Sequence, residues 1–161
     1  TNGYQPPAYW EWIARAKTGV AVPIVANGDI WNVADFRRCR EVTGCEHFMI
    51  GRSALADPWL GLRISRELRG NSSAGAIDAG GQNIPDPRDL AAWMPWLELF
   101  ARVSERYSAR DGEDGRYCAR RVKQWLKYSE KTYETRWFGA VKQTQTLAEL
   151  FAALRAEMAP G

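Results

Sequence analysis

Val22–Asp29 (VPIVANGD) and Phe48–Arg52 (FMIGR) decide how the chain is read. Each is a short apolar, β-branched run that ends in a glycine-bearing turn, and each is followed by residues at helical spacing. The spacing predicts a strand over Val22–Ala26 and a helix over Asn32–Val42, with Asn32 as N-cap and Thr43-Gly44 as its close. It then predicts a second strand over His47–Ile50 and a largely helical Ala54–Leu68, with Pro58 inside or restarting that helix. A continuous apolar strand such as Val22–Ala26 is the kind buried on both faces of a parallel sheet. Two successive strand–loop–helix units, each with an exposed backbone loop at the strand's C-terminal end, are the usual makings of a phosphate site in a (β/α) barrel.

The chemistry of the two loops agrees with that reading. Gly28 lets the backbone approach a ligand closely or take φ > 0. Asn27 can hydrogen-bond to an ester or phosphate oxygen, and Asp29 completes the turn. Gly51 and Arg52 repeat the pattern one strand later, with bare backbone N–H and a guanidinium suited to bidentate phosphate contact. A helix start just beyond adds donors and a favourable dipole end. Either loop alone is an ordinary turn. In order, about 23 residues apart on successive strands, they point to converging donors for a phosphomonoester.

Around this pair the chain divides by composition. Pro6–Thr18 reads as a helix with Tyr9, Trp12, Ile13 and Ala16 at helical spacing, stopped by Gly19. Gly70–Pro87 (GNSSAGAIDAGGQNIPDP) has no periodic apolar pattern and reads as a linker or long loop. Beyond it the pattern is helical. Arg88–Ala109 carries Leu90, Trp93, Leu97, Phe100 and Ala101 at helical spacing. A turn follows at Asp111–Gly115, then a helix over Tyr117–Tyr133, a short one over Trp137–Val141, and a capped amphipathic helix over Thr146–Met158. Thr146 and Glu149 stand in capping-box spacing. The expected domains are 1–69, a connecting 70–87, and 88–161.

Composition bounds the function. The chain has 161 residues, eight Trp and 45% apolar residues, which suits a packed core and not a disordered chain. No run approaches the roughly 18 apolar residues of a membrane span, so no membrane partner is expected, and the reading is cytoplasmic. Thr1–Pro7 is polar and turn-like, without an initiator Met, and reads as a cut into a longer protein. Cys39, Cys45 and Cys118 form no CxxC pair and no metal-ligand spacing, and fit small buried thiols in a reducing compartment. His47 is the single histidine, so no zinc site and no Ser–His–Asp triad is expected. The net charge of +3 is unevenly spread. Residues 100–142 carry eleven Lys/Arg against six Asp/Glu, and the rest of the chain eleven against thirteen. Such asymmetry points to an anionic partner for the basic half. At 100° per residue, Arg116, Arg120, Lys123, Lys127 and Lys131 fall within about 80° of one another, opposite Cys118, Ala119, Val122, Trp125, Leu126 and Tyr133. This is either a solvated helix face or a phosphate-tracking face for nucleic acid.

The string VPIVANGDI…TGCEHFMIGRSALADPWL closely resembles the C-terminal barrel strands of bacterial tRNA-dihydrouridine synthases. RVKQWLKY, on a later helix, resembles the helical domain of that family's C-type members. The likeness spans roughly residues 3–142. It implies an α/β plus all-α architecture: the last βα units of an FMN-binding TIM (β/α)8 barrel, followed by a C-terminal helical bundle, with tRNA held between them. The implied activity is NADPH-dependent reduction of a D-loop uridine to 5,6-dihydrouridine. By resemblance Asn27, Gly28 and Asp29 match the first flavin-phosphate loop, and Gly51 and Arg52 the second. Tyr4 matches a tRNA-contacting position near the barrel mouth, and Arg121, Lys123 and Tyr128 match such positions on the recognition helix. Arg121 departs from the basic stripe by about 120° or more.

The family's catalytic Cys belongs to the first half of the barrel and has no counterpart here, so no catalytic residue is expected in this chain. Two strands cannot close a barrel and leave an open edge and an uncovered apolar face. The expectation is a chain that lacks the N-terminal barrel half, is inactive alone and holds FMN weakly or not at all. Two alternatives stand beside it: a non-catalytic RNA-binding module, and another phosphate-binding (β/α) barrel oxidoreductase.

Overall fold

A computed structural model describes residues 7–70, 83–108 and 116–159. Tyr4, most of the 70–87 segment and the turn expected at Asp111–Gly115 lie outside the described residues. The chain divides into two compact units, residues 1–84 and 85–161.

The first unit runs α1 (Trp10–Thr18), β1 (Val25–Asn27), α2 (Val33–Thr43), β2 (His47–Met49), α3 (Arg52–Ala56) and α4 (Leu60–Leu68). β1 and β2 pair in parallel, with Val25 opposite His47, Ala26 opposite Phe48 and Asn27 opposite Met49. A parallel pair needs a crossover connection, and α2 supplies it. That helix is well marked at both ends. The Asn32 side chain accepts from the Asp35 N–H at 2.8 Å, and Gly44 closes it in the left-handed conformation at φ 58°, donating to Arg40 O. Phe36 and Cys39 face inward with no exposed surface. Phe36 meets Phe48 of β2 edge to face at 4.8 Å, which fastens the crossover helix to the sheet. Trp10, Ala26, Ile30, Cys45, Leu60 and Ile64 complete the core.

Three expectations are corrected here. The first strand is Val25–Asn27, not Val22–Ala26. Its partner is three residues long and follows closely on the Gly44 cap, so Val22–Ile24 have nothing to pair with, and Pro23 has no N–H for a ladder. Nor is β1 buried on both faces. Ala26 is buried, but Val25 is 55% exposed and Met49 of β2 51% exposed; this is the uncovered face expected of two strands, and the polar Asn27 and His47 are exposed on it as well. The inward face of α1 is also rotated. Trp10 is its buried anchor, while Tyr9 and Trp12 stand in solvent. The Trp10 indole N–H donates to Gly28 O at 2.9 Å, and that bond fixes which face of the helix turns in.

Helix α3 and helix α4 are separated at Asp57–Trp59. The buried Asp57 carboxylate accepts from the Trp59 N–H at 2.9 Å and from Arg63 Nε at 3.0 Å, so Pro58 sits in a clamped turn between two helices.

The second unit consists, among its described residues, of α5 (Leu90–Ser108), α6 (Arg116–Tyr133), α7 (Trp137–Val141) and α8 (Leu147–Glu157). Asp89 caps α5, accepting from the Ala91 and Ala92 N–H groups at 3.0 and 3.3 Å. Leu90, Trp93, Leu97 and Ala101 are buried along α5, and Cys118, Ala119, Val122, Leu126 and Ser129 along α6. Trp93 lies 5.6 Å from both Trp125 and Trp137, so three helices share one aromatic centre. The expected Thr146/Glu149 capping box is formed at the start of α8. No described helix is long and apolar enough to cross a membrane.

Candidate functional site

The parallel register puts the C-terminal ends of β1 and β2 side by side, and the loops that leave them line one cleft of about 210 Å³. Its walls include Asn27, Gly28, Asp29, Gly51 and Arg52, the five residues expected from the two sequence motifs. Trp31, Met49, Ile50 and Ser53 complete it. A cleft of this size lies below the roughly 300–1,000 Å³ that engulfs a drug-sized ligand. It suits one end of a ligand.

The first loop is held by its own polar groups. Gly28 has φ 97°, and a Cβ there would stand 2.7 Å from Ala8 Cβ. Asp29 also has positive φ, at 49°. Its carboxylate accepts from the Ala8 N–H at 2.8 Å and lies 3.8 Å from Arg52 Nη2. Asp29 therefore ties the first loop both to the lead-in of α1 and to the second loop. In the second loop, a Cβ on Gly51 would meet no atom within 4 Å. Open space therefore lies beside Gly51, which lines the cleft. Arg52 reaches out with its side chain 53% exposed, and its guanidinium lies 5.7 Å from the centre of the Trp31 ring. The helix end expected to assist here is α3, only five residues long, so its dipole adds little.

Trp31 carried no signal in the sequence beyond its place just before the Asn32 cap. The sequence reads most of the eight Trp as core, and Trp31 is a cleft wall.

The residues on α6 are more scattered. Arg121 is exposed and donates to Gln124 Oε1 at 3.0 Å. Tyr128, seven residues on, is half-buried on the same edge of the helix. Lys123 projects about 140–160° from both. Its ammonium donates to Thr144 O at 2.8 Å and to Lys142 O at 3.3 Å, so it ties α6 to the turn between α7 and α8. Arg116, Arg120, Lys127 and Lys131 of the basic stripe are exposed, and Lys127 lies 5.9 Å from the Phe138 ring. The stripe exists, with Lys123 engaged at its edge.

Cys39, Cys45 and Cys118 are buried and form no disulfide. Burial raises the Cys39 thiol to about 11, helped by neighbouring Cys45 and opposed by a hydrogen bond with Thr43. Burial keeps all three side chains away from a substrate. Among the described residues no group of His, Cys, Asp and Glu could hold a metal ion.

Parallel strands joined by a helix, with glycine and arginine brought together beyond the strand ends, define an α/β unit. The comparisons with known proteins name the family. Residues 1–79, which hold both loops, match the family model described as dihydrouridine synthase (Dus). The tRNA-dihydrouridine(16) synthase of Cupriavidus necator is 40% identical over 155 residues, covering 96% of this chain and 39% of that protein. The proteins of the same name from Ralstonia nicotianae and Pseudomonas putida are 37% and 39% identical, over 98% and 82% of this chain and 44% and 36% of their own lengths. The chain belongs to the dihydrouridine synthase family. It spans about two-fifths of the length of these curated relatives.

Proposed function

We propose that this chain is the C-terminal portion of an FMN-dependent tRNA-dihydrouridine synthase, in which the cleft between the two loops holds the flavin's terminal phosphate. The observation that carries the reading is the meeting of Asn27, Gly28, Gly51 and Arg52 around one small cleft at adjacent strand ends. The donor set fits a phosphate: a guanidinium, a side-chain amide, and open backbone at Gly51 where no Cβ stands in the way. The Asp29 carboxylate would repel an anion, and its part is to hold the loop and Arg52 in place.

In the complete enzyme FMN would supply the redox chemistry, reduced by NADPH and passing hydride to the uracil ring. The residues of this chain bind and orient. The first unit is read as the last βα units of a TIM barrel, whose remaining strands would cover the face that Val25 and Met49 leave in solvent. The second unit is read as a tRNA-binding helical domain. Its net positive charge and the exposed Arg121, Arg116 and Arg120 support that reading. Lys123 supports it less directly, since its ammonium is already bonded to two carbonyl oxygens. The printed name shared by the relatives points to uridine 16 as the substrate nucleotide. A stacked base is out of reach, so the uridine is expected to leave the stack before it reacts. Alone, without a thiol placed to protonate the ring, this chain is expected to be inactive.

A chimera tests the reading. The N-terminal part of the Cupriavidus necator relative, joined to this chain at the matched position, should retain FMN and form dihydrouridine in tRNA. Arg52→Ala in that chimera should release FMN during purification. A folded chimera without flavin, or one whose flavin is indifferent to Arg52→Ala, contradicts the proposal.

A further inference from the structure

We infer that Trp31 is a positioning residue for Arg52, and that its indole ring sets how firmly the cleft holds a phosphate. The inference rests on the phosphate reading above and extends it to a side chain outside the two motifs. A half-exposed arginine ordinarily samples many rotamers, and a ligand that binds it must pay for fixing them. Arg52 is already bracketed. The Trp31 ring lies under its guanidinium at 5.7 Å, inside the range of a cation–π contact, and Asp29 Oδ1 stands 3.8 Å from Nη2.

Both sides of the bracket are themselves anchored. The Trp31 N–H donates to Asp35 Oδ2 at 3.1 Å, beside the Asn32 cap, so the ring's backbone is fixed by the first turn of α2. Asp29 is held by the Ala8 N–H. The bracket comes from the loop after β1, while Arg52 comes from the loop after β2. The contact thus couples the two loops that line the cleft. A cation–π contact made by the guanidinium carbon leaves N–H donors of Arg52 open to a phosphate oxygen.

The test uses the full chain and inorganic phosphate as the probe, followed by nuclear magnetic resonance. In the wild type the Arg52 Nε–H resonance should be shifted upfield by the Trp31 ring current before any phosphate is added. Trp31→Leu should abolish that shift and weaken phosphate binding about two- to fivefold. Trp31→Phe, which keeps a ring face, should restore both. A purely structural tryptophan would leave the Arg52 signal unmoved. Wild-type Arg52 without an upfield shift, or Trp31→Leu with unchanged phosphate affinity, overturns the inference. If phosphate moves no Gly28 or Gly51 amide in the wild type, the phosphate reading itself has failed, and with it the inferred control of affinity.

Discussion

Gly28 and Gly51 hold matching places after β1 and β2, yet they are glycine for different reasons. Gly28 has positive φ and no room for a methyl group beside Ala8. Gly28→Ala should therefore destabilise the first unit by about 1–3 kcal/mol, read by chemical denaturation. Gly51 has open space, so Gly51→Ala should leave stability within about 0.5 kcal/mol of wild type and weaken phosphate binding instead. Equal losses of stability in the two variants would contradict that division. Cys39 gives a pH prediction. Its folded-state thiol titrates near 11, above the roughly 8.5 of a free thiol. The native state then holds the proton where the unfolded chain has lost it. The stability from Cys39 should be intact below about pH 8.5 and fall as pH rises toward 11. At this scale the sequence was legible where a residue type is forced by backbone, as at Gly28, Gly44 and Asn32. It was illegible where the choice lay among eight similar tryptophans. Trp10 is buried with its indole N–H bonded to Gly28 O, and Trp31 lines a cleft with its ring beside Arg52. Both depend on partners distant in sequence.

Among the elements, α8 and α7 were the most legible, because their signals are local: a capping box and a short apolar run. β1 was the least, because a strand's extent is set by its partner, and β2 pairs over three residues only. Three predictions belong here. Thr146→Ala should remove the cap of α8 and cost about 1 kcal/mol by thermal denaturation. Glu149 accepts from the Gln145 and Thr146 N–H groups, which hold its carboxyl below the usual value. Its contribution is present above the ordinary Glu range and lost as pH falls below that range through the lowered folded value, so the difference in stability between wild type and Glu149→Gln should shrink in acid. Lys123 bears on both function and fold. Lys123→Met keeps the apolar stem and removes the bonds to Lys142 O and Thr144 O. It should speed hydrogen exchange in the turn between α7 and α8. If it lowers RNA affinity without that change, the contact with RNA is direct.

For the whole molecule, the charge and the cleft divide the labour. The basic excess lies within residues 100–142, in the second unit. RNA binding by this chain should therefore weaken steeply with salt, with log K falling against log salt at a slope of about −2 or steeper. A flat response would remove the nucleic-acid reading of that unit. The small cleft between the two loops is already formed in this chain, so weak FMN binding through the phosphate end is expected in place of none. The central claim, that two neighbouring loops jointly grip that phosphate, is tested most directly by adding FMN at millimolar concentration to the isotopically labelled chain. The amides of Asn27, Gly28, Gly51 and Arg52 should shift together along one saturation curve, and inorganic phosphate should compete. Shifts confined to one loop, or spread over the exposed lysines and arginines of α6, would contradict it.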